Sequence, residues 1–430
     1  MKPIKRLRWW IIGTLFLSTT INYIDRQTLS VLAPVILKEL NLSHVDYSKI
    51  VSAFQVTYAL TWLAGGIFLD VVGTRLGLAL AVCWFSIASM LTGLANSVRS
   101  FAAFRFLLGI GEGCNWPGAN KAVSEWFPAR ERGMAVAIFD SGSSVGGIVA
   151  ALVVPWVAIR LGWRYAFLVS GSLGLFWVLV WLSIYRPLKR HPRVSEEERQ
   201  LIESGREMPT ASTQMGVKRW LNLLKQRNVW GIVLGRSFTD PIWWFYVFWL
   251  PQYLSDERGF SLKQIGAFVW IPFAASALGN YTGGVVSGLL IRRGMPVIRA
   301  RKWVCVVSSL PILAGIPAAL TGNTYWAITL ICVATWGYAT WSTMGLTFPS
   351  DLFPSDVVAS VTGLSGLGAG LAGTLFTLAV GVMVERFSYL PAFFAAGLVP
   401  LLATAAVLIL IREPRAAGSF TLETPGRRAS

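Results

Sequence analysis

The ten residues INYIDRQTLS, Ile21 to Ser30, place Asn22, Tyr23, Asp25 and Arg26 inside an apolar run from about Trp9 to Leu37. A charge near the centre of a bilayer costs roughly 3 kcal/mol or more. A chain accepts that cost when the charges face a cavity, pair with one another or do chemistry. At 3.6 residues per turn Asn22, Tyr23 and Arg26 share one helix face, and Asp25 points about 100° away. One helix thus offers a guanidinium with polar company on one side and an acid on the next.

Further charges fall inside apolar stretches. In RFLLGIGEGCNWPGANKAVSEWFP, Arg105 and Glu112 are seven residues apart and share a face about 10 Å apart along the axis. Two readings stay open. Either they neutralise each other or Asp25, or Glu112 carries a proton, a natural task for a carboxyl in that setting. Gly109, Gly111 and Gly113 would let a neighbouring helix approach closely. Asp140 and Asp240 are the remaining intramembrane acids. Arg236 lies about seven residues from one end of its run, where snorkelling to the interface is a sufficient account. Asp240 precedes Pro241, where a helix break is expected, so Asp240 either caps the segment beyond it or meets a ligand. Trp243, Trp244 and Tyr246 follow in PIWWFYVFWLPQYL. Packing against lipid accounts for most of that aromatic run. Beside a break, aromatic faces and a Tyr hydroxyl also suit a sugar. Gln55 and Tyr58, three residues apart, form a polar pair on one face, suited to a core helix or to a ligand.

The elements that position these residues are apolar spans. The chain has 430 residues, 54% hydrophobic and 14% charged, with a mean hydropathy of +0.57. Soluble proteins carry about 25% charged residues. Twelve spans are expected, at about 9–37, 48–69, 76–96, 99–122, 133–158, 164–185, 229–254, 263–291, 303–320, 325–347, 356–384 and 388–411. The basic start MKPIKRLRWW lacks a small-residue cleavage site and leads into too long a run for a signal peptide, so it reads as part of a retained first span. The organisation is a six-helix bundle over 1–185, a solvated linker over 186–228 with a short surface helix at SEEERQLIES, a second bundle over 229–411 and a tail over 412–430.

The net charge of +17 follows the loops instead of clustering on a soluble face, which excludes nucleic-acid binding as its explanation. With the N-terminus inside, the inner segments hold 26 of the 38 Lys and Arg and the outer loops hold 8, the positive-inside pattern for two cytoplasmic termini. Cys83, Cys114, Cys305 and Cys332 fall within spans without metal-ligand spacing, and His44 and His191 fall in loops, so no metal site is expected. The turn GGIFLDVVGTR (Gly65 to Arg75) has a partial copy in GGVVSGLLIRR (Gly283 to Arg293), each after the second span of its half. Two similar six-span halves are the mark of a transporter with its site near the midplane between them.

Gly66, Asp70, Gly73 and Arg75 have the spacing of the loop motif of the major facilitator superfamily. Asp70 would act as a latch at the positive N-terminus of span 11, near Ser355 and Asp356. Together with Tyr23-x-Asp25-Arg26, the Arg105 to Gly133 stretch and DPIWWFYVFWLPQYL, the chain resembles the anion:cation symporter branch of that superfamily, and within it the hexuronate transporters, over essentially all twelve spans. The resemblance implies an all-α membrane protein of twelve helices in two pseudo-symmetric bundles. It implies proton-coupled import of a sugar acid, with Arg26 on the carboxylate and Tyr23 and Tyr58 nearby. Asp25 and Glu112 would carry protons, supported by Arg105. Two departures stand out: Ser143 replaces a Gln of the galactonate-transporting relatives, and Gly366, Gly368 and Gly370 replace an Asn-rich face.

The resulting expectation is a multi-pass inner-membrane symporter, driven by a proton gradient without a cofactor, acting as a monomer on a small organic anion. Asn22, Gln55, Trp243, Trp244 and Tyr246 would complete the substrate site. An organic-phosphate exchanger is the nearest rival, but it favours a deep Arg in each half. A membrane enzyme or sensor would need a catalytic set or a soluble domain, and the longest loop is a short charged linker.

Overall fold

A computed structural model describes residues 4–188, 191–204, 223–353 and 355–413. The latch expected between Asp70 and the Ser355–Asp356 end of span 11 involves side chains outside the described residues. So does most of the tail.

In chain order the helices are α1 (Leu7–Leu40), α2 (His44–Val72), α3 (Thr74–Thr92), α4 (Val98–Glu112), α5 (Asn115–Trp126), α6 (Ala129–Leu161) and α7 (Trp163–Ile184). The short α8 (Glu196–Ser204) follows, then α9 (Arg227–Asp256), α10 (Leu262–Phe268), α11 (Trp270–Arg292), α12 (Val297–Ile312), α13 (Gly315–Leu320), α14 (Thr324–Leu352), α15 (Ser355–Arg386) and α16 (Leu390–Leu410). Pairing α4 with α5, α10 with α11, and α12 with α13 gives twelve spans. Ser43, Ser97, Ser261 and Asn323 cap the starts of α2, α4, α10 and α14 by accepting backbone N–H groups, because those first-turn donors have no helical partner. Gly73, at φ +84°, turns the chain between α2 and α3, a conformation that favours glycine.

The packing repeats across the two halves. In the first, α1 packs on α6 and α2 on α4; in the second, α9 packs on α15 and α11 on α14. The halves meet through α2 with α15, α6 with α10 and α11, and α1 with α9. Exchanging the halves maps the first two of these contacts onto each other, which is the pseudo-twofold relation of an inverted or parallel repeat.

Among the described residues, seven spans are long and apolar enough to cross a membrane by themselves: α3, α6, α7, α10 with α11, α12 with α13, α15 and α16. Those carrying the buried charged pairs, α1, α4 and α9, are not among them. Their polar residues turn inward, while Phe176, Leu179 and Leu375 stand more than two-thirds exposed on outer faces, as expected of surface that meets lipid.

Two glycines set the spacing around α1. A Cβ at Gly109 would strike Thr57 and lie 2.6 Å from the Phe54 carbonyl oxygen, and one at Gly146 would lie 2.7 Å from the Tyr23 Cβ. Overpacking of that kind shifts backbones, so both positions let α4 and α6 close on the helices that carry the site. Span 4 breaks after Glu112, and α5 resumes at Asn115 with Pro117 in its first turn, where a missing N–H costs nothing.

The linker differs from the solvated helix expected. In α8, Glu198 is buried and accepts from the Leu7 and Arg8 backbone N–H groups at 2.9 and 3.2 Å and from Arg8 Nη1 at 2.8 Å. Its carboxylate satisfies free donors at the positive start of α1, which docks α8 on the first bundle.

Hydrogen bonds between the halves cluster at the end where α1 terminates. Ser30 Oγ donates to the Val247 carbonyl at 2.6 Å, Tyr47 Oη to the Phe248 carbonyl at 2.7 Å, and the Val45 N–H to Glu385 Oε2 at 3.0 Å. His44 meets Gln252 at 3.2 Å in the same layer.

Candidate functional site

The centre of the molecule is a buried ion pair between α1 and α4. Arg26 Nη2 and Nε donate to the same Glu112 oxygen, Oε2, at 2.8 and 3.2 Å, and Nη2 also donates to Asn22 Oδ1 at 3.2 Å. Arg26 is 1% exposed and Glu112 fully buried. Glu112 is therefore the partner of Arg26, not of Arg105, whose spacing along α4 invited that pairing. Glu112 Oε1 is left without a hydrogen bond.

Four aromatic rings enclose the Arg26 guanidinium. Its Cζ lies 4.5 Å from the Tyr58 ring centre, 4.7 Å from Tyr23, 5.1 Å from Phe54 and 5.4 Å from Trp244. A cation over aromatic faces gains electrostatically, more so when desolvated. Trp244 comes from α9, so both halves contribute to this sleeve. Phe54 escaped the sequence reading, although it lies on the Tyr58 side of α2, four residues away.

Asp25 faces elsewhere, as its position on the adjacent face required. Its Oδ1 accepts from Ser89 Oγ of α3 at 2.7 Å, and Ser89 in turn meets Ser170 of α7 at 3.3 Å. Its other oxygen is buried without a partner, as are Arg105 Nε and Nη2. Asp25, Arg26, Arg105 and Glu112 thus all lie buried within the spans of the first half, and of these four only Arg26 and Glu112 touch. Gln55 is buried, with neither amide atom hydrogen-bonded. Asp140, on α6, accepts from the Trp116 indole at 3.0 Å, and Trp116 lies 6.0 Å from the Tyr23 ring.

Four readings of α9 are corrected: the break at Pro241, the capping alternative for Asp240, the snorkelling of Arg236 and the place of Tyr246. The helix does not break at Pro241 but runs unbroken from Arg227 to Asp256 with Pro241 and Pro251 inside. Packing on all sides holds it through the lost backbone bond. Asp240 therefore caps nothing; its Oδ2 accepts from Arg236 Nη2 and Nε at 2.7 and 3.1 Å. Arg236 does not snorkel. It turns along the helix to Asp240 and donates from Nη1 to Ser365 Oγ of α15 at 3.1 Å. Tyr246, lastly, points away from Arg26. At 100° per residue it lies about 200° around the helix from Trp244, and it packs within the second half beside Phe245 and Phe393. Trp243 stays near the centre, stacked on Tyr338 of α14 at 5.7 Å and 4°.

Of the loop-motif residues, Arg75 donates from Nη2 to the Leu182 carbonyl at 2.6 Å, and its own carbonyl accepts from Trp181 at 2.9 Å. These bonds tie the α2–α3 turn to α7. A Cβ at Gly66 would meet open space.

The geometry offers one fixed cation at the interface of two bundles, ringed by aromatics and held by a single acid. Similarity to known proteins agrees with the architecture. Residues 15–377 match the family model described as Major Facilitator Superfamily. The hexuronate transporter of Escherichia coli K12 is 34% identical over 397 residues, 91% of each chain. The galacturonate transporter of Dickeya chrysanthemi is 35% identical over 331 residues, 76% of this chain and 95% of that one. The Escherichia coli xylose transporter, solved in an inward-open conformation, superposes with a TM-score of 0.72 at 16% identity, covering 95% of this chain and 98% of that one. With its twelve spans in two bundles, this chain belongs to the Major Facilitator Superfamily, a multi-pass membrane transporter.

Proposed function

We propose that the protein imports a hexuronate or closely related sugar acid together with protons, and that Arg26 is the point where the two cargoes meet. The observation that carries this is the Arg26–Glu112 pair at 2.8 Å inside an aromatic sleeve shared by both halves. The hexuronate and galacturonate transporters similar to this chain supply the substrate class.

The coupling follows from charge. With no ligand and Glu112 ionised, the pair is neutral, and the bundles can rock past each other. A sugar-acid carboxylate needs the guanidinium fork that Glu112 occupies. Two anions cannot both hold it without repulsion, so Glu112 takes a proton as the ligand arrives. The loaded site, cationic Arg26 with an anionic ligand and a neutral Glu112, is again balanced. A protonated Glu112 without ligand leaves Arg26 uncompensated in a low-dielectric centre, which disfavours reorientation and suppresses proton leak. Each ligand then shifts the equilibrium only through its differential contacts in the two states. Asp25 and Arg105, close by but unpaired with Arg26, supply a second site through which a proton can pass. Asn22, Tyr23, Tyr58, Gln55, Trp243 and Trp244 hold the sugar. An organic-phosphate exchanger fits less well, because Arg236 is engaged by Asp240 and offers no second free cation.

We place this transporter, as a monomer, in the inner membrane, and the 26-to-8 charge split orients both termini and the 186–228 linker to the cytoplasm. The sealed end with Ser30 and Tyr47 then faces outward.

Three outcomes are expected. In proteoliposomes, Arg26→Lys lowers uptake at least about tenfold, since an ammonium cannot grip two oxygens in a fork, and neutral hexoses do not compete with galacturonate. Competition by glucose as strong as by galacturonate would contradict the carboxylate assignment. Glu112→Gln, which mimics the protonated form, abolishes accumulation driven by a proton gradient but keeps counterflow of labelled for unlabelled substrate at symmetric pH. A mutant that still accumulates substrate would reduce Glu112 to a structural partner of Arg26 and pass coupling to Asp25. For orientation, Lys263→Cys reacts with an impermeant maleimide on intact cells, whereas Glu197→Cys reacts only after permeabilisation. Both positions are exposed, and the native cysteines are buried or half-buried. Labelling of both from outside would overturn the topology.

A further inference from the structure

Arg236 and Asp240 lie on the side of α9 that faces the other half. Positions 236, 240, 243, 244 and 247 recur at helical spacing on that side. Trp244 covers Arg26, and the Val247 carbonyl accepts from Ser30. Asp240 is one turn, about 6 Å of helix rise, from Trp244. Tyr338 of α14 stacks flat on Trp243.

We propose that Arg236 and Asp240 form a second subsite that accepts a ligand hydroxyl and selects sugar acids with one carboxylate over those with a carboxylate at each end. The inference rests on the sugar-acid reading above. Three of the five N–H donors of Arg236 are taken, two by Asp240 Oδ2 and one by Ser365, and Asp240 neutralises its charge, so this arginine attracts a second anion weakly. Asp240 Oδ1 is buried and has no hydrogen-bond partner among the described residues. A buried acceptor left unmade is costly, and each such atom in a folded protein calls for an explanation. A hydroxyl at the far end of a ligand whose carboxylate sits on Arg26 would supply the missing donor. An aldaric diacid would instead bring a second carboxylate, which has no proton to donate and is repelled by Asp240. The pair would therefore set specificity by what it excludes as well as by what it accepts.

The test uses the purified full-length chain in liposomes, with labelled galacturonate in counterflow and unlabelled galacturonate or galactarate as competitor. In the wild type, galactarate should inhibit at least about tenfold less well than galacturonate, because like charges brought together are strongly disfavoured. Asp240→Asn removes the negative charge and frees the Arg236 fork, so the gap should close by about tenfold. Asp240→Glu should keep the wild-type preference, and adding Arg236→Gln to Asp240→Asn should abolish the gain. Equal inhibition of the wild type by both acids overturns the subsite without reference to any variant. An unchanged preference in an Asp240→Asn protein that still exchanges galacturonate also overturns it. A wild type that exchanges neither acid overturns the sugar-acid reading itself, and the subsite with it.

Discussion

Everything in this molecule is arranged around one guanidinium that cannot lose its charge. Arginine stays protonated at any physiological pH, so a buried Arg26 must be balanced continually by something else. In the structure that balance comes from Glu112 across the α1–α4 interface, at 2.8 Å, with neither residue measurably exposed. Breaking such a pair by removing one partner costs about 3–5 kcal/mol. The aromatic sleeve lowers the cost of burying the cation without fixing which anion balances it. On the reading proposed above, this site accepts either an internal carboxylate or a carried one, so that an internal ion pair is exchanged for a proton and an organic acid bound together.

The surrounding fold serves that exchange. Gly109 lets α4, which carries Glu112, pack closely on α2, and Gly146 lets α6 pack closely on α1, which carries Arg26. The break after Glu112 ends α4 at the acid itself. The second half contributes Trp244 to the sleeve and places its own neutralised pair, Arg236 with Asp240, one to two turns before it in α9. The two halves therefore bring different groups to one interface: an arginine paired to one acid inside an aromatic sleeve on one side, and an ion pair with an unbonded carboxylate oxygen on the other. Bonds such as Ser30 to Val247 and Tyr47 to Phe248 close one end of that interface through side chains to helix carbonyls, contacts few enough to be broken in a rocking motion.

Much of this was legible in the sequence, for a physical reason. A charge in an apolar run is costly, so Asp25, Arg26, Arg105 and Glu112 announce themselves, and the helical period puts Asn22 and Tyr23 beside Arg26 and Asp25 apart from it. Partner choice was not legible. Arg105 and Glu112 share a face of one helix, but pairing across helices depends on approach distances set by glycines whose neighbours a sequence does not name. Phe54 was missed because one more aromatic in an apolar span carries no signal of its own. The errors in α9 share one cause. An expected break at Pro241 left a capping role open for Asp240 and turned Tyr246 toward the site, whereas the unbroken helix turns Tyr246 toward Phe393, and Asp240 pairs with Arg236 one turn before it.

The central claim is that a carried carboxylate and a proton on Glu112 replace the internal ion pair together. The most direct measurement is proton exchange on binding, by titration calorimetry of the detergent-solubilised protein with galacturonate near neutral pH in buffers of different ionisation enthalpy. Because linkage is reciprocal, the account predicts uptake of about one proton per ligand bound, and affinity that tightens as pH falls. Binding of galacturonate with no proton uptake, and with an affinity indifferent to pH across the neutral range, would contradict it.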